Sequence, residues 1–214
     1  MAGILHRSQE KYLQSFLSTN DELIKEIELF AEKNKIPILN KHSIAFLEQI
    51  VIMIKPKRVL EIGTAIGYSS IRIARLLARQ SSLHTIEKSK ENISIAKENI
   101  AKAKLQNKIK IFEGDALRIL PQLNKKYDLV FLDSDKEDYK ILFDYSMLLL
   151  KKGGVIFVDN LLWHGYVASK KVPAKYKNST KHIKEFNRIF MIQPSLHSVI
   201  LPVGDGIGIG VKIK

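Results

Sequence analysis

An α/β fold, with a mostly parallel sheet and helices on both faces, is predicted by three observations. Short apolar strands alternate with helix-length stretches from Arg58 to Asn160, the pattern of βαβ units. Successive strands end in Gly, Glu or Asp, as they do where the carboxyl edge of a sheet carries a site. Two further strands, about 197–203 and 207–213, are joined by Gly204-Asp205-Gly206, a hairpin signal that adds an antiparallel strand at the end.

The N-terminal part reads as helical. Leu23, Ile24, Ile27 and Phe30 fall on one helical face, with Asp21 or Asn20 as the cap. Ser43 to Ile54 repeats the pattern after Pro37. There follow strand 58–62, helix 67–79, strand 83–87, helix 91–104, strand 108–113 and helix 116–123. Strand 127–132, helix 138–150 and strand 154–158 complete the alternation. No repeat, low-complexity tract or linker is visible, so residues 1–214 are expected to form one domain, a helical part (1–56) and an α/β core (57–214).

Hydrophobic residues make up 45% of the 214, enough for a full core and against disorder. With no cysteine, disulfides and thiolate metal sites are excluded. No apolar run reaches membrane-spanning length and no signal pattern opens the chain, so a cytoplasmic protein is expected. The net charge of +13 is uneven. Residues 165–190 carry Lys170, Lys171, Lys175, Lys177, Lys181, Lys184 and Arg188 against Glu185 alone. Such a patch suits a polyanion, nucleic acid being the usual one, although a lysine-rich composition can also arise from base composition.

The most informative stretch is Arg58 to Ser70. A strand enters the turn Gly63-Thr64-Ala65-Ile66-Gly67, and a helix opens behind it. Backbone N–H groups there suit a ligand with negative charge, while Glu61 repels phosphate and suits a cationic end. A nucleoside joined to an amino acid meets both demands, and S-adenosylmethionine is the common one. Glu87, 24 residues after Gly63, ends the next strand where a carboxylate grips ribose hydroxyls. Ile109 to Ala116 ends in Gly114-Asp115-Ala116, suited to an adenine rim.

Two later strand ends carry Asp133 and Asp159-Asn160. Adjacent parallel strands bring them together, and two carboxylates with one carboxamide make an oxygen-only half-shell for Mg²⁺, with Mn²⁺ or Ca²⁺ as alternatives. The plain alternative is that Asp159 and Asn160 cap the following turn. Lys136, three residues past Asp133, becomes a base if a nearby cation and burial depress its pKa.

These segments, together with Val158 to Trp163 and Leu201 to Gly206, resemble the cation-dependent class I O-methyltransferases, which include the catechol and caffeoyl-coenzyme A enzymes. The resemblance covers roughly residues 20–214 and implies a Rossmann-like, seven-stranded, mostly parallel sheet with a C-terminal antiparallel strand and added N-terminal helices. It implies that Asp133, Asp159 and Asn160 bind the metal and that Lys136 and Asp133 are catalytic. Leu39, Glu61, Gly63, Thr64, Gly67, Ser69, Glu87, Gly114, Asp115, Ala116 and Asp133 are implied to hold S-adenosylmethionine. Within the group the pattern is most similar to bacterial tRNA 5-hydroxyuridine methyltransferases, so the expected reaction is methylation of 5-hydroxyuridine at the tRNA wobble position. The expected partners are the anticodon stem-loop and a second copy of the chain. One departure matters: Asp135 stands where catechol methyltransferases have an aromatic gatekeeper, while it fits the caffeoyl-coenzyme A branch. Two rivals are a small-molecule O-methyltransferase for a catechol or coenzyme A thioester, and a non-catalytic nucleic-acid-binding protein. The second would show a broken acid set, and here every acid is present.

Overall fold

The computed structural model describes residues 7–17 and 19–214. Residues 1–6 and 18 of the expected helical part lie outside the described residues. Three helices come first, α1 (Arg7–Ser15), α2 (Glu22–Asn34) and α3 (Lys41–Ile54). The core then runs β1 (Arg58–Ile62), α4 (Tyr68–Leu76), β2 (Ser82–Glu87), α5 (Lys90–Lys102), β3 (Ile109–Glu113) and α6 (Ala116–Ile119). It continues as β4 (Tyr127–Leu132), α7 (Tyr139–Leu149), β5 (Leu150–Val158), α8 (Lys177–Ile192), β6 (Leu196–Leu201) and β7 (Ile207–Lys212).

Local chemistry sets the helix starts. Asp21 accepts from Ile24 N (3.1 Å), Asn40 from Ser43 N (2.9 Å) and Asp115 from Leu117 N (2.9 Å), each covering an otherwise orphaned amide. Helix 116–123 is shorter than expected. Pro121 has no N–H to continue the ladder, and Leu120–Gln122 tighten into a 3₁₀ turn.

Among the described residues the strands form one sheet in the order β3-β2-β1-β4-β5-β7-β6. The first five are parallel, and β7 runs antiparallel to both β5 and β6. This is the expected Rossmann-like sheet, with β7 as the antiparallel strand. It is the second strand of the terminal hairpin that joins the parallel set.

Both faces are covered, so β4 is apolar on both sides. Leu129 and Phe131 pack with Val59, Leu83 and the helices α2 to α4, whereas Val130 and Leu132 pack with Leu60, Ile156 and the helices α7 and α8. Helix α8 was not expected. Its Ile183, Phe186 and Phe190 are buried at helical spacing, which the surrounding lysines obscure in the sequence. No helix among the described residues is long and apolar enough to cross a membrane.

Candidate active site

The strand order reverses at β1, which lies between β2 and β4, and that opens a crevice at the carboxyl ends. Register decides what lines it. Ile62 pairs with Ile86 and Leu132, and Leu132 pairs with Val158, so Gly63, Glu87, Asp133 and Asp159 occupy the next row. Backbone bonds extend that row: Gly63 N to Ile86 O (3.1 Å), Asp133 N to Ile62 O (3.0 Å) and Asp159 N to Leu132 O (3.2 Å). Gly63 must be glycine, because its φ is +107° and a Cβ would sit 1.8 Å from the Asp133 carbonyl oxygen.

The crevice holds a cavity of about 500 Å³. Of the residues expected to hold a cofactor, Gly63, Glu87, Gly114, Asp115, Ala116 and Asp133 line it. Glu87 is fixed by three amides, Ala65 N (2.9 Å), Lys88 N (3.0 Å) and Ser89 N (2.8 Å). Its oxygens keep spare lone pairs for hydroxyl donors. Lys88 and Asp135 form an ion pair, and both line the same cavity.

Glu61, Thr64, Gly67 and Ser69 are not on that lining. Glu61 is wholly buried and accepts from the hydroxyls of Ser69 (2.6 Å) and Ser70, so here it fastens the first turn of α4. Burial pushes its carboxyl up to about 7, against the lowering by those hydroxyls. Thr64 Oγ1 bonds Thr85 Oγ1 (2.6 Å), and Gly67 makes the left-handed step into α4. Leu39 lines a separate cavity of about 1200 Å³ bounded by α1, α2 and the start of α3. The two cavities share Ile38 and His164.

Asp133, Lys136, Asp159 and Asn160 meet on the smaller cavity. Asp159 Oδ1 is buried and makes no hydrogen bond. Burial first, and the Asp133 charge second, push the Asp159 carboxyl up to about 8. Asn160, in the left-handed region at φ 62°, turns Nδ2 to Asp205 (3.5 Å). An orphaned carboxylate oxygen beside a second carboxylate and an amide oxygen fits a hard divalent cation. Among the described residues no three His, Cys, Asp or Glu side chains cluster as a metal site, and this set would be Asp133, Asp159 and Asn160.

Lys136 is buried and donates to Asp133 Oδ1 (3.0 Å), Ser134 O (2.9 Å) and Tyr139 Oη (2.7 Å). Burial alone lowers its pKa, but Tyr139 and Asp133 outweigh that and hold it above the ordinary lysine value. The direction set by the protein groups is thus opposite to the depression expected beside a cation. Tyr139, which sequence reasoning passed over, also donates to Asp159 O (3.1 Å) and so ties the lysine to the end of β5.

The other wall follows β5. Leu161 N and Leu162 N donate to Gly206 O and Asp205 O (2.8 Å each), and His164 N donates to Asp205 Oδ1 (2.6 Å). Trp163, His164 and Gly165 all take positive φ, a strained run tethered by that turn and by Asn187 Nδ2, which donates to Leu161 O (2.8 Å). Tyr166 stacks on Tyr176 (5.2 Å), and both rings lie near His164. Only the lone Trp163 among bulky polar residues could have signalled this cluster in the sequence.

A family model described as O-methyltransferase matches residues 14–213. The chain is 32% identical over 179 residues to a caffeoyl-CoA O-methyltransferase of Medicago sativa, covering 79% of this chain and 72% of that protein. A crystal structure from Staphylococcus aureus, provisionally assigned as a caffeoyl-CoA O-methyltransferase, superposes with a TM-score of 0.89 at 32% identity over 95% of this chain and 99% of that one. The O-methyltransferase TomG of Streptomyces achromogenes, in complex with SAM, gives 0.84 at 26% identity over 97% and 96%.

Proposed function

The chain belongs to the O-methyltransferase family, and on that footing we propose that it transfers a methyl group from S-adenosylmethionine to one oxygen of a vicinal oxygen pair, on an acceptor of the catechol or caffeoyl-coenzyme A type. The observation that carries the reading is the unpartnered, buried Asp159 Oδ1 beside Asp133 and Asn160.

In this reading Asp133, Asp159 and Asn160 hold a divalent cation, Mg²⁺ in the first instance, and the bound groups supply the methyl donor and a charge that acidifies an acceptor hydroxyl. Glu87 takes the ribose hydroxyls, and Asp115 and Ala116 flank the adenine. Glu61, behind the turn, sets the angle of α4 and thereby the amides around Gly63. With a cation sharing the Asp133 charge, the Lys136 ammonium releases its proton to solvent, and the neutral amine then accepts the acceptor hydroxyl's proton. Tyr139 keeps Lys136 within reach of that position. Catalysis is mainly positioning, which supplies ~7–11 kcal/mol in well-oriented systems.

A second reading has 5-hydroxyuridine in tRNA as the acceptor, its 5-hydroxyl and neighbouring carbonyl replacing the catechol pair. The net charge of +13, gathered in part on residues 165–190, favours it. Labelled S-adenosylmethionine, with and without Mg²⁺, tests both against catechol, caffeoyl-coenzyme A and tRNA bearing 5-hydroxyuridine. Metal-dependent label in a small acceptor supports the first reading, and label at the wobble uridine supports the second. Full activity in excess chelator sinks the metal role.

A further inference from the structure

Helix α8 places Lys177, Lys181, Lys184 and Arg188 at intervals of four, three and four residues, one stripe about 17 Å long. All four are exposed and line a shallow groove of about 590 Å³, in which Glu185 is the lone acid. Among the described residues none of these cations is paired with a carboxylate, whereas Lys25, Lys41, Arg72, Lys97 and Lys151 each are. The opposite face of α8, Ile183, Phe186 and Phe190, is buried in the core. The stripe therefore looks outward, and the large apolar side chains exposed on this helix, Met191 and Ile192, lie beyond its far end.

The near end of the stripe adjoins the crevice. Asn178 and Ser179 donate to Glu137 (3.2 and 2.7 Å), the residue after Lys136. Tyr176, immediately before α8, packs against Trp163, His164 and Tyr166. A line of cations thus leads to a cluster of rings beside the candidate catalytic lysine.

We propose that this face of α8 is a docking track for the phosphate backbone of a single-stranded or looped RNA, whose end nucleotide reaches the aromatic cluster. The inference rests on the RNA reading above and adds where the strand lies. Four cations in line over that length call for a repeating anion, while coenzyme A has only a diphosphate and one further phosphate. Rings at one end of a cationic groove are the arrangement by which single strands are held through backbone charge and base stacking.

The test is binding of a fluorescently labelled, twenty-nucleotide single-stranded RNA over a series of salt concentrations. Four phosphate contacts predict a log–log salt slope of about −3. Lys177→Glu/Lys181→Glu/Lys184→Glu should weaken binding at least roughly tenfold, while the equal charge change Lys33→Glu/Lys125→Glu/Lys152→Glu alters it by less than about threefold. Thermal unfolding and S-adenosylhomocysteine binding confirm that each variant is folded. A flat salt dependence or equal losses in the two triple variants overturns the proposal. So does phosphatidylserine-vesicle binding lost through the same three lysines, or displacement of the RNA by stoichiometric coenzyme A. Methyl transfer to tRNA bearing 5-hydroxyuridine, measured separately on the unaltered protein, tests the RNA reading itself, so the two failures are distinguishable.

Discussion

On the strand side of the crevice, Gly63, Glu87, Asp133 and Asp159 share one row, each placed by the register of the strand before it. On the loop side, Asn160, Trp163, His164 and Gly165 all have positive φ and hang on the turn at Asp205 and Gly206. Moving a residue of the first wall breaks a ladder shared with buried neighbours. Moving the second wall breaks a few tethers and releases strain of about 1–3 kcal/mol at each non-glycine position. In the proposed reading the ribose carboxylate and two of the three metal ligands belong to the stiff wall, while Asn160 and the aromatic cluster belong to the tethered one.

The sharpest way to break this contrast is Asp159→Ala. Losing a direct ligand should lower turnover by more than the ~100-fold typical of an outer-sphere partner, with S-adenosylhomocysteine affinity nearly unchanged by calorimetry. Retained activity would remove the metal from the stiff wall. Next, Gly63→Ala forces a Cβ onto the Asp133 carbonyl at a left-handed position. A loss of about 3 kcal/mol, or some 10 °C in Tm, is expected, and an unchanged melting curve would show that this wall yields. Glu87→Ala should weaken S-adenosylhomocysteine binding about tenfold to a hundredfold, read as Kd. On the tethered wall, Tyr166→Ala should raise the acceptor KM a few-fold while the Kd for S-adenosylhomocysteine stays put. Equal changes in both constants would mean that the walls are coupled.

The smallest effect concerns pH. Burial raises Glu61 to about 7 from an ordinary 4.5, so the folded state holds this proton more tightly than the unfolded chain. The resulting stability is complete below pH 4.5 and is lost as pH rises through about 7. In chelator, Glu61→Gln should lose less Tm than the unaltered protein between pH 5 and 8. Parallel curves would show that Glu61 ionises freely in the fold.

The stiff wall was legible in the sequence for a physical reason. Strands buried on both faces are mostly apolar, so Val59, Leu60 and Ile62, and then Leu129 to Leu132, stand out and the residues that follow them point to the site. What Glu61 touches was not legible, because Ser69 and Ser70 reach it only once α4 folds back. Helix α8 was hidden by its own lysines. The part played by Tyr139 depends on α7 lying against the end of β5, and no local pattern reports that.

The placement of β7 bears on how the enzyme is born. β5 has β4 on one side and β7 on the other, and β7 is the last strand of this sheet in chain order. Until residues 207–212 are made, Val155 to Val158 form an open, apolar sheet edge, and Leu161, Leu162 and His164 lack the 205–206 turn that holds them. A ribosome-bound chain stopped short of that strand thus carries one open, association-prone edge next to a site wall that still lacks its tether.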